Sequence, residues 1–556
     1  PRRSKRRLAI AAMIVTLVGL IALLSWWAMW RTPGSATASR QVTAAAVSAA
    51  PAHSIAVLPF ADMSTAGNQE YFADGLAEEL LNLLSKVPGL QVAARTSAFS
   101  FKGHAADIPT IGRQLMVANV LEGSVRKVGN HLRVTAQLVR ADNGYEVWSE
   151  IYDRELGDVF RLQDDIAAAV VKALRLTLLG NSAPRSTTAQ NPDAYLVFLQ
   201  GRAKMATQRI VDVKAAAADF ASVLKLDPNY GPAYVELAGA KLQLAEFEVT
   251  DNRQAAFAAA IEEGKLLIEQ ALTLDPSNAQ AYVERGYLRA FSDLKGAEQD
   301  YRRGIELNPN SARGYDGLAT VLFEDPRRRD EALAMLDRAR QLDPLEPKYD
   351  VLKAALLYYG RSDTKGAAAL LLDVIAHHPL YEPAYLYLGG VSGVQGHYAQ
   401  AVMYEEQALK LDPLSEWARR ALIMDYVNSG DVKAAEQVAD MAPHRLPIQR
   451  LVPLIHAGNW RRAAEAAYTA LADSTYMPIN EPWGVFALRM DARLTHDFRR
   501  ARIALERLCG VTWSANGIPI LPTQLGMASA SVGLGDMLIA SGERDRGERL
   551  LRASLA

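Results

Sequence analysis

The sequence predicts an α/β or α+β module followed by an all-α array of stacked helical hairpins, with one membrane-spanning helix at the amino terminus. Three observations predict it: an uncharged apolar stretch behind a basic cluster, a region where strand and helix signals alternate, and a long region punctuated at regular intervals by helix-ending prolines. At 556 residues the chain exceeds one ordinary domain. Half of its residues are hydrophobic, enough for large cores.

Arg2, Arg3, Lys5, Arg6 and Arg7 form a basic stub (1–7) ahead of an uncharged stretch at 8–30. As a helix, that stretch spans roughly 34 Å, against about 30 Å of bilayer hydrocarbon. Trp26, Trp27 and Trp30 close it, where indoles favour the membrane interface. The positive end predicts a cytoplasmic amino terminus and a periplasmic or exterior bulk. Ala36-Thr37-Ala38 resembles a signal-peptide cleavage site. The apolar run is nevertheless longer than a signal core, so an anchor at the inner (plasma) membrane is expected. Residues 31–53, rich in Ala, Ser, Thr and Pro, read as a flexible tether.

The α/β module is placed at 54–178. Ile55-Ala56-Val57-Leu58-Pro59-Phe60 reads as a buried strand closed by a turn. Leu76, Leu80, Leu83, Leu84 and Val87 recur at helical spacing over 71–87, and Pro88-Gly89 stops that helix. A strand at 90–94 and a helix at 108–117 follow. Then 119–128 and 131–139 pair around Gly129-Asn130, with Leu132, Val134, Ala136 and Leu138 alternating against Arg133, Thr135 and Gln137. A strand at 145–152 and an amphipathic helix at 159–178 complete the unit.

Ser54-Ile55-Ala56-Val57-Leu58-Pro59-Phe60, Tyr71-Phe72-Ala73-Asp74-Gly75-Leu76-Ala77-Glu78-Glu79, Ala94-Arg95-Thr96-Ser97, Leu121-Glu122-Gly123-Ser124-Val125-Arg126 and Tyr152-Asp153-Arg154 occur in this order. Together they resemble the TolB amino-terminal-like module. The resemblance implies a non-catalytic periplasmic module lying between a membrane span and tetratricopeptide repeats. In such proteins the cytoplasmic side often carries a winged-helix DNA-binding domain, as in CadC-like regulators, or a class III nucleotide cyclase domain. Neither occurs in this sequence.

After a polar linker at 179–192, prolines 228, 276, 309, 344, 379 and 413 mark helix ends at spacings of 48, 33, 35, 35 and 34 residues. A period near 34 is that of tetratricopeptide (TPR) repeats, and the 48 accommodates an insertion near 246–260. Tyr385, Leu388, Gly389, Ala401 and Ala408 occupy the expected positions in the cleanest unit, with Tyr282, Gly286, Ala297 and Tyr301, then Tyr315, Leu318, Ala332 and Ala339, in others. Small residues let paired helices approach, and neighbouring hairpins bury what a lone hairpin cannot. Repeats are placed at 193–440. Beyond Pro413 the hairpins continue without the proline beat: glycine turns at Gly430, Gly458 and Gly542 each open a second helix, and 498–508 adds another. Degenerate hairpins are expected at 441–556, nine or ten hairpins in all, with a separate helical domain after Met441 as the alternative.

Catalytic, cofactor and metal sites are all expected to be absent. Asp74, Glu78, Glu79, Arg95 and Arg126 are residue types of a carboxylate–arginine site, but no nucleophile or phosphate loop completes one. Glu78 and Glu79 are read as solvated helix positions, and the arginines as ties between loops. His377-His378 points to two helix faces and is read as an end cap. Cys509 is read as a buried thiol, and the tyrosines between Tyr349 and Tyr404 as repeat core. Lys plus Arg (61) balances Asp plus Glu (62), which excludes a basic field for nucleic acid.

The expected function is a membrane-anchored periplasmic scaffold that binds protein or peptide on the concave TPR face. The alternative is the sensory half of a transmembrane regulator or adenylate cyclase whose output domain precedes Pro1, and signalling through a single span would call for a homodimer.

Overall fold

The computed structural model describes residues 50–64, 69–174, 191–246, 253–360, 362–441, 447–472, 481–509, 512–514, 518–520 and 528–555. The expected span at 8–30, most of the tether and most of the 179–192 linker lie outside them. Among the described residues no helix is long and apolar enough to cross a membrane. The chain divides into residues 1–50 and 51–556, and the second unit is described here.

The module is a mixed sheet. Its strands are β1 (Ser54–Val57), β2 (Ala61–Asp62), β3 (Gln91–Val92), β4 (Asn119–Val128), β5 (His131–Arg140) and β6 (Glu146–Glu155), in the order β3-β1-β4-β5-β6 with β2 beside β4. β1 runs parallel to β3 and β4, whereas β4, β5 and β6 form an antiparallel meander. Helices α1 (Glu70–Ser85) and α4 (Val159–Ala173) pack on one face, and α2 (Arg95–Phe99) and α3 (Ile108–Leu115) cover the β1 end of the other. Both faces of β1 are therefore buried, Ile55 and Val57 on one side and Ala56 on the other, which explains its unbroken apolar run. Over most of its length β5 is covered on one face only, so Leu132, Val134, Ala136 and Leu138 are buried while Arg133 is exposed; at its end Val139 is buried on the other face.

Two details depart from expectation. The first strand ends at Val57 rather than Phe60, because Pro59 has no N–H for the ladder; pairing with β4 resumes at β2. The short helix α2 carries no signal in the sequence. The β4–β5 turn is as expected, with Gly129 at φ +60°.

Among the described residues, twenty helices follow in ten successive pairs. These are α5 (Pro192–Met205) with α6 (Ile210–Leu226), α7 (Gly231–Glu246) with α8 (Arg253–Leu274), and α9 (Ala279–Ala290) with α10 (Leu294–Leu307). Next come α11 (Ala312–Phe323) with α12 (Arg329–Leu342), α13 (Lys348–Ala355) with α14 (Thr364–His377), and α15 (Glu382–Val394) with α16 (Tyr398–Leu411). α17 (Glu416–Ser429) with α18 (Val432–Asp440), α19 (Pro447–His456) with α20 (Trp460–Ala472), α21 (Glu481–Thr495) with α22 (Phe498–Cys509), and α23 (Ala528–Ala540) with α24 (Arg544–Leu555) complete the stack. The described part of the insertion lengthens α8 at its start. A two-stranded ribbon, Thr512–Trp513 with Pro519–Ile520, interrupts the last turns.

Local chemistry sets the hairpins. Asp293, Asp363 and Asp431 each accept the N–H three residues on at 2.9–3.0 Å, capping α10, α14 and α18. Asn191, Asn278, Ser311 and Ser415 cap first helices in the same way. Small residues admit the partner helix: a methyl at Gly201 would lie 2.6 Å from the Phe220 ring, and one at Gly286 3.1 Å from Tyr301.

Candidate protein-interaction surface

First helices of successive pairs touch along most of the stack, as α5–α7, α7–α9, α9–α11, α13–α15 and α15–α17 do. Among the substantial contacts, second helices meet only at α20–α22. A stack whose first helices crowd while its second helices splay curves toward the first helices. Their exposed side chains therefore line the inner groove.

In the first half of that groove the charges are matched internally. Arg313 pairs with Glu284 at 2.6 Å, Lys348 with Asp316 at 2.5 Å, and Gln280 donates to Glu236 at 3.3 Å. Burial lifts the Glu284 carboxyl above its ordinary range, with Arg313 opposing. Further along, the lining turns aromatic and apolar. The helix after α13 widens into a π turn over Leu356–Gly360, carrying Tyr358 and Tyr359 with ring centroids 4.4 Å apart. Tyr358 donates to the Gly390 carbonyl at 3.4 Å, while Tyr359 is 61% and Val394 66% exposed. The tyrosine cluster divides accordingly: Tyr349 is core, Tyr387 packs partly into the α13–α16 core, and Tyr359 faces solvent.

The module is packed against this stack along a shared core. Phe72, Leu76 and Leu80 of α1 and Phe160 of α4 join Tyr195, Phe198, Phe220 and Tyr230 of the first repeats in one apolar cluster. Gly75 leaves room for Leu199, whose Cδ2 would lie 2.6 Å from a methyl there. Above that core Arg202, with its side chain 13% exposed, is ringed by Glu78, Glu79 at 2.6 Å and Glu236 at 3.7 Å. Burial opposes the Arg202 charge, but the three carboxylates overcome it and raise its pKa. Burial likewise lifts Glu79, against the pull of Arg202.

The carboxylate–arginine set is thereby placed. The reading of Glu78 and Glu79 as solvated positions is corrected: Glu78 is buried and shared by Arg202 and Arg95, the latter at 3.0 Å. Both acids turn inward because their partner comes from the first repeat. Arg95 also stacks on the Phe99 ring at 4.4 Å, Asp74 pairs with Lys102, and Arg126 donates to the Met63 carbonyl at 3.3 Å. None of this converges on a cleft. Among the described residues no three His, Cys, Asp or Glu could hold a metal ion. His378 ends α14, and the His377 ring bonds the Asp373 carbonyl at 2.9 Å. The Cys509 side chain lies outside the described residues.

A second contact, missed in the sequence, joins the module to inter-repeat turns. Asn310 accepts from Val92 N at 3.0 Å and donates to the Ser85 and Leu90 carbonyls at 2.9 Å each. Asp343 accepts from the Ser97 amide at 3.0 Å and hydroxyl at 2.5 Å, and the same hydroxyl accepts from Leu345 N at 2.9 Å. The Ala94-Arg95-Thr96-Ser97 motif, which opens α2, thus seats the module on the turn after α12, while Asn310 ties residues 85–92 to the turn after α10. Gly123 of the Leu121–Arg126 motif (121–126) has a structural reason too: a methyl there would meet the Phe60 ring at 2.7 Å.

Residues 51–169 match a family described as HilA/YgeH-like transcriptional regulator, second domain. That is a regulator's domain, and a TolB module is not part of the description. A relative named putative adenylate cyclase 3, from Rhizobium meliloti (strain 1021), is 40% identical over 187 residues, 33% of this chain and 32% of the relative. Human tetratricopeptide repeat protein 6 is 23% identical over 214 residues, 38% of each chain. The matched part of the chain thus spans only 32% and 38% of these curated relatives. Solved structures of MamA and of YrrB, a TPR protein with an unusual peptide-binding site, are each 18% identical, with TM-scores of 0.25 and 0.26. They cover 33% and 36% of this chain and 96% of their own lengths. The repeat assignment rests on the helix pairs and proline period above.

Proposed function

We propose that the module and repeats form the protein-binding, signal-receiving part of a signalling protein, and that this part is not itself catalytic. The observation that carries the reading is the inner groove, whose charges are matched in its first half and whose Tyr359 and Val394 stand uncovered in its second. Such a surface suits an extended or helical protein segment better than a small polar substrate. The likeness of 51–169 to a regulator domain, and of a third of the chain to a putative adenylate cyclase, supports signalling over passive scaffolding. A scaffold without an output domain is the second reading, favoured by the repeats alone. In either reading the apolar stretch at 8–30 serves as anchor and the bulk lies outside the cytoplasm.

Photo-crosslinking in cells tests the groove directly. A crosslinking amino acid at Tyr359 or Val394 is expected to trap a discrete partner that unlabelled protein competes away. The same residue at Leu372, exposed on second helix α14, is expected to trap none. Equal trapping at all three positions would overturn the assignment. A carboxyl-terminal reporter active only in the cytoplasm would overturn the topology.

A further inference from the structure

Eight residues before each helix-ending proline stands one side chain of the second helix: Phe220, Ile268, Tyr301, Leu336, Leu371 and then Glu405. The first five are all buried, and they fill the gap between one hairpin and the next. Tyr301 shows how: its ring would lie 3.1 Å from a methyl at Gly286 of its own pair, and it also abuts Gly317 of the following first helix. At the sixth position the slot holds a carboxyl. Glu405 on α16 is fully buried, with neither oxygen hydrogen-bonded by an ordinary donor.

The next hairpin contributes a second acid to the same slot. Asp425 on α17 is 7% exposed, and Asn428 donates to it at 3.1 Å. The remaining wall is backbone. A methyl at Gly389 would lie 2.5 Å from Glu405 Cγ, and one at Gly393 would lie 2.7 Å from an Asp425 oxygen. Both glycines are on α15, so the pair is clamped between three helices. Of the other elements here, the π turn faces Asp425 with the neutral Tyr358 phenol, and among the described residues no cation acts on either carboxyl.

Two carboxylates cannot both be charged in such a place, since each has lost its hydration and they repel at close range. We propose that a single proton, shared by Glu405 and Asp425, locks the hairpin α15–α16 to α17, and that its loss to solvent opens this joint. Burial, reinforced by Asp425, pushes the Glu405 carboxyl up to about 9, and burial raises Asp425 too. Both folded values lie above the ordinary ones. Their stabilising effect is therefore complete below the ordinary carboxylate range and is lost as pH rises through the folded values. The joint is closed in acid and weakens in alkali. Such a device makes the curvature of the stack responsive to protons whether or not the groove binds a partner.

Infrared difference spectroscopy and hydrogen exchange on the full chain test this. At neutral pH the wild type is expected to show a protonated-carboxyl C=O band that Glu405→Gln removes, and to lose that band as the buffer turns alkaline. Amide exchange over 389–428, corrected for its intrinsic pH dependence, is expected to rise across the same range in wild type and to stay flat in Glu405→Gln. Asp425→Asn is expected to move the loss of the band to lower pH. Should a variant misfold, the wild-type band and its pH course still decide. A wild type without a protonated carboxyl at neutral pH, or exchange at the joint that rises equally in Glu405→Gln, overturns the proposal.

Discussion

Arg202 holds the largest concentration of buried charge between module and repeats. It neutralises Glu79 and shares Glu78 with Arg95, while its guanidinium lies over the Phe198 ring, 5.6 Å from the centroid. Replacement by Met keeps the stem but leaves the acids facing one another with little water. Breaking a buried pair by removing one partner costs about 3–5 kcal/mol. The deficit has a pH sign. Glu79 already has a raised pKa in the fold, and losing Arg202 raises it further. The protonated acid is tolerated and the ionised one is not, so the deficit grows as pH rises. Urea denaturation of Arg202→Met is expected to show a small loss near about pH 4 and the full loss near about pH 8. A loss independent of pH would refute this account of the cluster. The charges of Glu78 and Glu79 were plain in the sequence, but their burial was not, because Arg202 lies more than a hundred residues away.

Each repeat depends on a few short-range devices at the ends of its helices. Asp363 caps α14 by accepting the Gly366 N–H at 2.9 Å. Asp363→Ala is expected to destabilise by about 1 kcal/mol. Its effect should add to that of Asp431→Ala, since the caps lie in different hairpins and share no partner. Gly430 ends α17 at φ +89°, where an L side chain is strained, so Gly430→Ala is expected to cost about 1–2 kcal/mol. Both are read as shifts of the denaturation midpoint. The helix-stopping prolines and glycine turns were legible in the sequence because each acts within four residues, whereas the aspartate caps were not read there. The exceptions are instructive. Strand β1 stopped early at Pro59, and α2 hid behind a strand-like run because its five residues carry too little periodicity to announce a helix.

At the scale of the whole molecule, the module acts as the amino-terminal cap that a repeat stack requires, and as a splint across several repeats. Its core is continuous with α5–α7, and Asn310 and Asp343 pin it to turns two and three pairs further on. Asn310→Ala deletes three buried hydrogen bonds and strands their backbone partners, at about 1–3 kcal/mol for each unsatisfied group. The expected result is faster hydrogen exchange over 85–97, with little change beyond α15, where no module contact of this kind reaches. Uniform loosening of the whole stack would argue instead for one indivisible unit.

The kinds of element and their order were determined by the sequence alone: a mixed α/β module, then helical pairs at a period near 34. Alternation, helix periodicity and proline spacing act over short distances along the chain, so they can be read without coordinates. Only the tertiary structure decided what faces what. It turned Glu78 and Glu79 inward onto Arg202, made the Ala94–Ser97 motif (94–97) a seat on the repeat turns, and buried Glu405 against Asp425 in a slot that other repeats fill with apolar side chains. Such outcomes depend on which surfaces meet across scores of intervening residues. The free energy of a buried charge is set by the partners it meets there, and local pattern does not record them.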